Sequence, residues 1–145
     1  MANKPFSKSL YTKNDDAKHQ VIDWLKGQGY DTQVNPDQYG IDLLGTNQET
    51  GKNIEVEVEV KHNWSGPKFP FSTVHFPARK LKFINTKSFF IMLNTERTHI
   101  LVVSGTQVCH SQIIKKSTLY TTAEDFLEVP VIKCFIYPLK ESDEQ

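Results

Sequence analysis

The stretch Ile54–Lys61 carries the residues best suited to chemistry. Its side chains alternate between apolar and charged, which is the period of a β-strand with one buried and one exposed face. The exposed face presents Glu55, Glu57 and Glu59 in succession and then Lys61. Like charges at alternate positions repel one another, and a divalent cation would relieve that repulsion. Carboxylate oxygens on rigid strands are suitable ligands for Mg²⁺ or Mn²⁺.

A further carboxylate can join them from the preceding strand. Gly40–Gly45 reads as a strand with Asp42 on its polar face. If it pairs with residues 53–62 as an antiparallel hairpin, Asp42, Glu59 and Lys61 meet at one end of the sheet. A metal there would lower the pKa of a bound water and neutralise charge on a phosphate. Lys61 could orient or deprotonate that water, or stabilise the pentavalent state. The pattern therefore favours phosphodiester hydrolysis.

Neighbouring residues have less specific readings. Glu57 could hold a second metal or bond a metal-bound water, but we favour a solvated strand residue, and we expect Glu55 to be simply exposed. We expect His62 to face the valine side as a structural histidine. Trp64, in the following loop, could stack on a base or pack against the domain.

A basic window follows the carboxylate strand. The formal net charge of the chain is zero, yet residues 61–95 contain six basic residues and no Asp or Glu. A polyanion therefore has a candidate surface. A short helix over Phe76–Ile84 would put Arg79 and Lys82 on one face, where they could contact phosphates. Taken singly, each is equally well interpreted as an ordinary solvated basic side chain. The candidate nucleic-acid-binding residues are Lys68, Arg79, Lys80 and Lys82.

The surrounding elements predict an α/β (α+β) fold, a mixed and mostly antiparallel central sheet flanked by helices. Asn14 is a plausible N-cap for a helix from Asp15 to about Gly27. Thr122–Asp125 has a capping-box signature for a short helix that Pro130 ends. Further predicted strands are Tyr30–Val34, Ser88–Leu93, His99–Val103 and Val131–Tyr137. We divide a single domain into a polar arm (1–13), a core (14–95), additional strands and a short helix (96–139), and a charged tail (140–145).

The order of these residues resembles the PD-(D/E)xK nuclease pattern. Asp42 lies near the end of one strand and Glu59-Val60-Lys61 at the end of the next, after a helix. The resemblance covers about residues 14–95, with a layout similar to small archaeal Holliday-junction resolvases and restriction-type endonucleases. It implies an αβββαβ core, metal binding by Asp42, Glu59 and the Val60 carbonyl, and a catalytic Lys61. Many members carry a further Glu on the first helix, where this chain offers Asp15, Asp16 or Asp23, and we take Asp16 as a possible helper.

The bulk properties are those of a globular protein. Of 145 residues, 38% are hydrophobic and 23% charged. The apolar runs are strand-sized, too short to span a bilayer, and the N-terminus has no apolar signal region. Cys109 and Cys134 lack metal-ligand spacing, and we expect buried thiols of a reducing compartment, hence a cytoplasmic protein.

Together these features predict a nuclease dependent on Mg²⁺ or Mn²⁺, acting on DNA as an endonuclease. One chain offers one active centre, so we expect a homodimer that uses the apolar surface of the later strands or the C-terminal part. The alternatives are a non-catalytic nucleic-acid-binding or assembly module of the same fold, a ribonuclease with the same site, and a protein-interaction domain. Repair, recombination, restriction and a phage-encoded role all stay open.

Overall fold

A computed structural model describes residues 8–109, 111–116 and 124–139. Its main elements are α1 (Lys8–Gly27), β1 (Tyr30–Val34), β2 (Leu43–Asn47), β3 (Asn53–Val60), β4 (Thr73–Pro77), a basic 3₁₀ helix (Ala78–Phe83), β5 (Ser88–Leu93), β6 (His99–Ser104), α2 (Gly105–Cys109), β7 (Gln112–Lys116), β8 (Glu124–Pro130), a second 3₁₀ helix (Val131–Lys133) and β9 (Phe135–Pro138).

The strands of the described residues form two sheets. Six strands make the large sheet in the order β1-β2-β3-β5-β6-β9, and three make the small sheet in the order β4-β8-β7. Neighbouring strands are antiparallel except β3 and β5, which run parallel. A parallel pair needs a long crossover, here the segment that holds β4 and the basic 3₁₀ helix. The predicted α/β (α+β) class with a mixed central sheet is confirmed.

One face of the large sheet is covered by α1. Ala17, Val21 and Leu25 recur at helical spacing and are buried together with Val56 and Val60 of β3. Burying a valine side chain of this kind contributes about 1.5–3 kcal/mol. The alternation of β3 thus places its valines against α1 and its glutamates on the other side of the sheet.

The small sheet covers part of that other side. Phe90 and Met92 of β5 and Leu101 of β6 pack with Phe76 of β4 and Leu127 of β8. Because β5 is covered on both faces, its sequence is a nearly continuous apolar run rather than an alternating one. Among the helices of the described residues, none has both the length and the apolar character needed to cross a membrane.

The first helix is longer than the sequence predicts. It begins at Lys8, so residues 8–13 are helical rather than part of an arm, and Asn14 lies inside the helix rather than at its N-cap. No Gly or Pro interrupts Lys8–Lys26, and each residue added to an existing helix gains a backbone hydrogen bond. Residues 1–7 of the predicted arm and the predicted tail (140–145) lie outside the described residues.

The helix predicted after Thr122 is also wrong. Glu124–Pro130 is strand β8, paired with β4 on one side and β7 on the other, while Thr122 and Ala123 lie outside the described residues. Phe126, Leu127 and Val129 are buried there. Pairing on both edges overrides the local capping signal, since strand preference depends mainly on packing.

Three element boundaries differ from those predicted. The predicted helix over Phe76–Ile84 is shortened to a 3₁₀ helix, because Phe76 and Pro77 still pair with β8. The strand predicted from Gly40 begins at Leu43, since the Gly40 N–H closes a turn on the Asp37 carbonyl at 3.0 Å. The last strand, predicted from Val131, begins at Phe135 after a 3₁₀ turn.

Candidate active site

The hairpin of β2 and β3 sets two carboxylates opposite each other. Leu43 pairs with Val56 and Leu44 with Glu55, so the register continued by one residue sets Asp42 against Glu57. The Asp42 N–H donates to Glu57 Oε1 at 3.2 Å, and the Val58 N–H donates to Asp42 Oδ2 at 2.9 Å. Both donors lie just beyond Leu43 and Val56, where the pairing of β2 with β3 ends. The two carboxylates therefore take over the hydrogen bonding where β2 ends, and are held in place by it.

Glu57 is a buried acid. Its side chain is 6% exposed, so the preference for a solvated strand residue is wrong. Burial, with the nearby Asp42 carboxylate as the second cause, raises the pKa of Glu57 to about 7. The ammonium of Lys80 on the basic 3₁₀ helix forms an ion pair with Glu57 Oε2 and opposes that shift. Desolvation outweighs the ion pair in setting this pKa.

A second lysine reaches Asp42 from α1. Lys18 Nζ lies 3.3 Å from Asp42 Oδ1, and the two side chains are 26% and 21% exposed. Lys18 is not among the site residues predicted from the sequence. A signal was present, because Lys18, Ile22 and Leu25 share a helical stripe and Ile22 and Leu25 are buried. A lysine in line with a buried stripe must find a polar partner at its edge.

Glu59 and Lys61 follow Glu57 on the same side of β3. Glu59 pairs with Met92 of β5 through its backbone, and its half-buried side chain makes no hydrogen bond or ion pair with the other described residues. Lys61 is half-buried just after the strand, and its N–H donates to the Leu93 carbonyl at 2.8 Å. Val60, the last residue of β3, is 8% exposed. The contacts join Asp42 to Glu57 rather than to Glu59, so convergence of Asp42, Glu59 and Lys61 remains a prediction.

The basic 3₁₀ helix lies beside this carboxylate pair. Arg79 and Lys82, three residues apart, fall on one face of a 3₁₀ helix and are exposed. The ammonium of Lys82 lies 5.0 Å from the centre of the Phe83 ring. Through Lys80, part of the predicted nucleic-acid surface is tied to Glu57. Lys68 is exposed in the loop after β3.

The remaining candidates have structural partners or different positions. Asp16, the possible helper, is 59% exposed and pairs with Arg97 at 3.5 Å. Glu55 accepts a hydrogen bond from Asn85 Nδ2 at 3.0 Å. Trp64 is fully buried and packs edge-on against Phe69, which favours packing over base stacking.

Two further predictions fail because of where the elements end. His62 is exposed rather than buried against the valines, since β3 ends before it. Cys109 is an exposed free thiol at the end of α2, not a buried one. Cys134 is half-buried, and desolvation raises its thiol pKa to about 11.

An apolar cavity of about 170 Å³ lies elsewhere, between the end of α1 and the large sheet. Trp24, Tyr30, Phe89 and Val102 are among the residues that line it. It contains none of the carboxylates or lysines described above, and its lining suits an apolar group rather than a charged substrate. The polar chemistry of the described residues is at the end of β2, not in this cavity.

The Asp42–Glu57 pair has a donor set that suits a hard divalent cation. Mg²⁺ is typically held by one or two carboxylates and keeps several waters, which two adjacent acids can provide. Within the part of the chain that the structure describes, no three His, Cys, Asp or Glu side chains group as metal ligands. Two carboxylate ligands would leave the other coordination positions of such a cation to water, and Glu59 is the next carboxylate along the strand.

Solved structures of other proteins share the fold of this chain. A scan of protein-family models found no match, and neither did a search of curated proteins. Among solved structures, the chain resembles Hjc, a Holliday junction resolvase from Archaeoglobus fulgidus, with a TM-score of 0.52 and 9% identity. That match covers 81% of this chain and 84% of the resolvase.

Two other similar structures have lower TM-scores. The bacterial homing endonuclease I-Ssp6803I matches with a TM-score of 0.47 and 16% identity, over 97% of this chain and 82% of the endonuclease. D212, a nuclease from a fusselovirus, matches with a TM-score of 0.45 and 16% identity, over 92% of this chain and 89% of D212. The layout similar to small Holliday-junction resolvases that the sequence predicts is confirmed for the fold by the match to Hjc.

Proposed function

We propose that this chain is a metal-dependent nuclease that hydrolyses phosphodiester bonds, with DNA as the substrate and internal cleavage as its mode. The observation that carries the proposal is the Asp42–Glu57 pair at the end of β2, in which each carboxylate accepts a hydrogen bond from a backbone N–H, Glu57 from Asp42 and Asp42 from Val58. Two adjacent carboxylates repel each other, and a divalent cation bound by both would relieve that repulsion. A basic segment directly beside them supplies a surface for a phosphate backbone.

The residues of the site would share the work as follows. Asp42 and Glu57 would hold Mg²⁺ or Mn²⁺, and the ion would lower the pKa of a water and neutralise charge on the phosphate. Glu59 and the Val60 carbonyl, predicted from the sequence, lie one step further along β3 and are the alternative ligands. Lys61 would orient the attacking water or stabilise the developing charge.

Binding would be the task of the basic residues outside the site. Arg79 and Lys82 on the 3₁₀ helix, together with Lys68 in the preceding loop, would contact phosphates without reading bases. Such contacts do not distinguish DNA from RNA, so a ribonuclease with the same site is a second candidate.

The experiment that tests the proposal is a substrate panel. The protein is incubated with four-way junction, flap, linear duplex and single-stranded DNA, and with RNA, in Mg²⁺, Mn²⁺ or EDTA. We expect metal-dependent internal cleavage of DNA, and none in EDTA. Cleavage of RNA alone would establish the ribonuclease.

A non-catalytic nucleic-acid-binding module of the same fold has one specific observation in its favour. Each carboxylate of the pair already has a lysine counter-ion, Lys18 for Asp42 and Lys80 for Glu57. Such a module predicts nucleic-acid binding with no cleavage in any metal. Binding without cleavage across the whole panel would replace our proposal with this one.

We also propose a homodimer in an intracellular, reducing location. Cutting both strands of a duplex with one centre per chain calls for two chains. The C-terminal part offers exposed apolar side chains, among them Ile132 in the second 3₁₀ helix at 86% and Phe135 on β9 at 64% exposure. The free thiols of Cys109 and Cys134 are compatible with a reducing compartment.

A further inference from the structure

Two lysines approach the carboxylate pair from different elements. Lys18 comes from α1, which covers the valine face of β3, and Lys80 comes from the basic 3₁₀ helix on the glutamate side. Each contacts a different carboxylate. The four side chains form a compact group of two ammonium groups and two carboxyl groups.

A divalent cation cannot simply be added to this group. Asp42 Oδ1 and Glu57 Oε2, the oxygens that the lysines contact, are also oxygens a metal would use. With both ammonium groups in place, a cation on these oxygens would lie beside two positive charges in a partly buried site, where repulsion is strong. Metal and ammonium groups must therefore compete for the carboxylates.

We propose that Lys18 and Lys80 are exchangeable counter-ions of the active centre, which hold the Asp42–Glu57 pair without metal and bind the scissile phosphate once a cation takes those oxygens. The inference rests on the proposed nuclease function and extends it to two residues outside the sequence motif. Lys80 is well placed for the second task, because it lies on the same 3₁₀ helix as Arg79 and Lys82.

The exchange makes a prediction about metal binding without nucleic acid. Lys18→Met removes one competitor while keeping most of the length of the side chain, so Mn²⁺ affinity should rise about fivefold or more. Calorimetric titration or the Mn²⁺ EPR signal at pH 8 measures it. Lys26→Met is the matched control, because Lys26 is exposed on the same helix, about 12 Å further along, and should leave the affinity unchanged.

A merely structural lysine would behave differently. If Lys18 only fixed Asp42 in position, Lys18→Met would weaken Mn²⁺ binding or leave it unchanged, and either result would overturn the exchange. Thermal unfolding in EDTA checks that the variants are folded. We expect Lys18→Met to fold, because the Asp42 carboxylate that loses its partner is partly exposed to water. Lys80→Met is more destabilising, because it leaves the buried Glu57 without its ion pair.

The second half of the exchange is tested by cleavage at saturating metal. Lys18→Met and Lys80→Met should each lower kcat about tenfold or more, since each removes a charge from the phosphate site. Lys26→Met and Lys52→Met, on exposed lysines elsewhere, should cleave at the wild-type rate. Wild-type cleavage by Lys18→Met would overturn the phosphate-binding role. A Lys80→Met protein that does not fold leaves the decision to Lys18→Met.

The nuclease proposal and the lysine exchange fail through different results. If the wild-type protein cleaves nothing, the nuclease proposal fails, while the Mn²⁺ titration still decides whether the lysines compete with a metal. If the wild-type protein cleaves and Lys18→Met both cleaves normally and binds Mn²⁺ normally, the exchange fails and the nuclease proposal stands.

Discussion

Among single residues, Glu57 differs most from its prediction, because it was expected to be solvated and is instead buried beside Asp42. The alternation along β3 predicts the same exposure for Glu55, Glu57 and Glu59. Which of them is buried depends on the elements that pack against the strand. Glu57 is buried because it lies opposite Asp42 and beneath Lys80. The register of the hairpin is predictable, but the crossover that brings Lys80 to this carboxylate is a long-range contact that periodicity does not reveal.

Glu57 should make stability depend on pH. Its folded pKa of about 7 lies above the ordinary value of 4.5, so the folded state binds the proton more tightly than the unfolded state. The resulting stabilisation is complete below about pH 4.5 and is lost as pH rises through 7, by up to about 3 kcal/mol. In EDTA, Glu57→Gln should remove this slope, as urea unfolding at a series of pH values would measure.

The control is Glu49→Gln, an exposed glutamate in the turn between β2 and β3. It should leave the slope as in the wild-type protein. A Glu57→Gln protein whose stability still falls by the same amount between pH 5 and 8 would show that another group titrates.

At the scale of elements, the predictions that held are those with a strong local pattern. The helical stripe of α1, the alternating β3 and the strands β5 and β6 were all expected from the sequence. β8 was not, because Thr122–Asp125 has a good helix-start signal and only pairing with β4 and β7 makes the following residues a strand. The presence of Asp42 near the carboxylate strand was predicted, whereas its two lysine-bearing neighbours, α1 and the 3₁₀ helix, could not be placed without the tertiary fold.

The basic 3₁₀ helix should determine the salt dependence of nucleic-acid binding. Replacing both Arg79 and Lys82 with Ala should weaken binding and reduce the slope of log K against log salt by about two units, since two phosphate contacts are lost. Fluorescence anisotropy in EDTA at several salt concentrations measures the slope without cleavage. The double variant Lys26→Ala/Lys52→Ala removes the same charge from exposed positions elsewhere and should leave the slope nearly unchanged. Equal slopes for the two double variants would place the binding surface away from the 3₁₀ helix.

The loop after β3 should depend on Trp64 for stability rather than for binding. Trp64 is fully buried and packs against Phe69, so Trp64→Ala should cost about 3–5 kcal/mol of unfolding free energy. Chemical denaturation measures this cost. Phe71→Ala, which removes a ring that is 46% exposed in the same loop, should cost much less. A stable Trp64→Ala protein with weakened single-strand binding would restore the stacking interpretation.

At the scale of the whole molecule, the exposed apolar side chains of the later strands should mediate self-association. Phe135 is 64% exposed on β9, at the edge of the large sheet within the described residues. We expect light scattering after gel filtration to show a dimer, and Phe135→Glu to shift it toward monomer, because the variant places a charge on the proposed contact surface. The control Tyr39→Glu adds the same charge at a side chain that is 81% exposed between β1 and β2. A monomeric wild-type protein at micromolar concentration would contradict the dimer.

The whole molecule combines a resolvase-like fold, a locked carboxylate pair and an adjoining basic segment. These features serve one reaction only if the carboxylates hold a metal that cleavage requires. Asp42 is common to the set predicted from the sequence and the set indicated by the contacts, so it is the residue on which both assignments depend.

The most direct test is therefore the rate of DNA cleavage in Mg²⁺ or Mn²⁺ by Asp42→Asn beside the wild-type protein, with binding measured in EDTA. We expect the wild-type protein to cleave, and Asp42→Asn to lose at least about a hundredfold in rate while it still folds and binds DNA. Cleavage by Asp42→Asn at the wild-type rate would contradict the proposal that Asp42 holds a metal that cleavage requires.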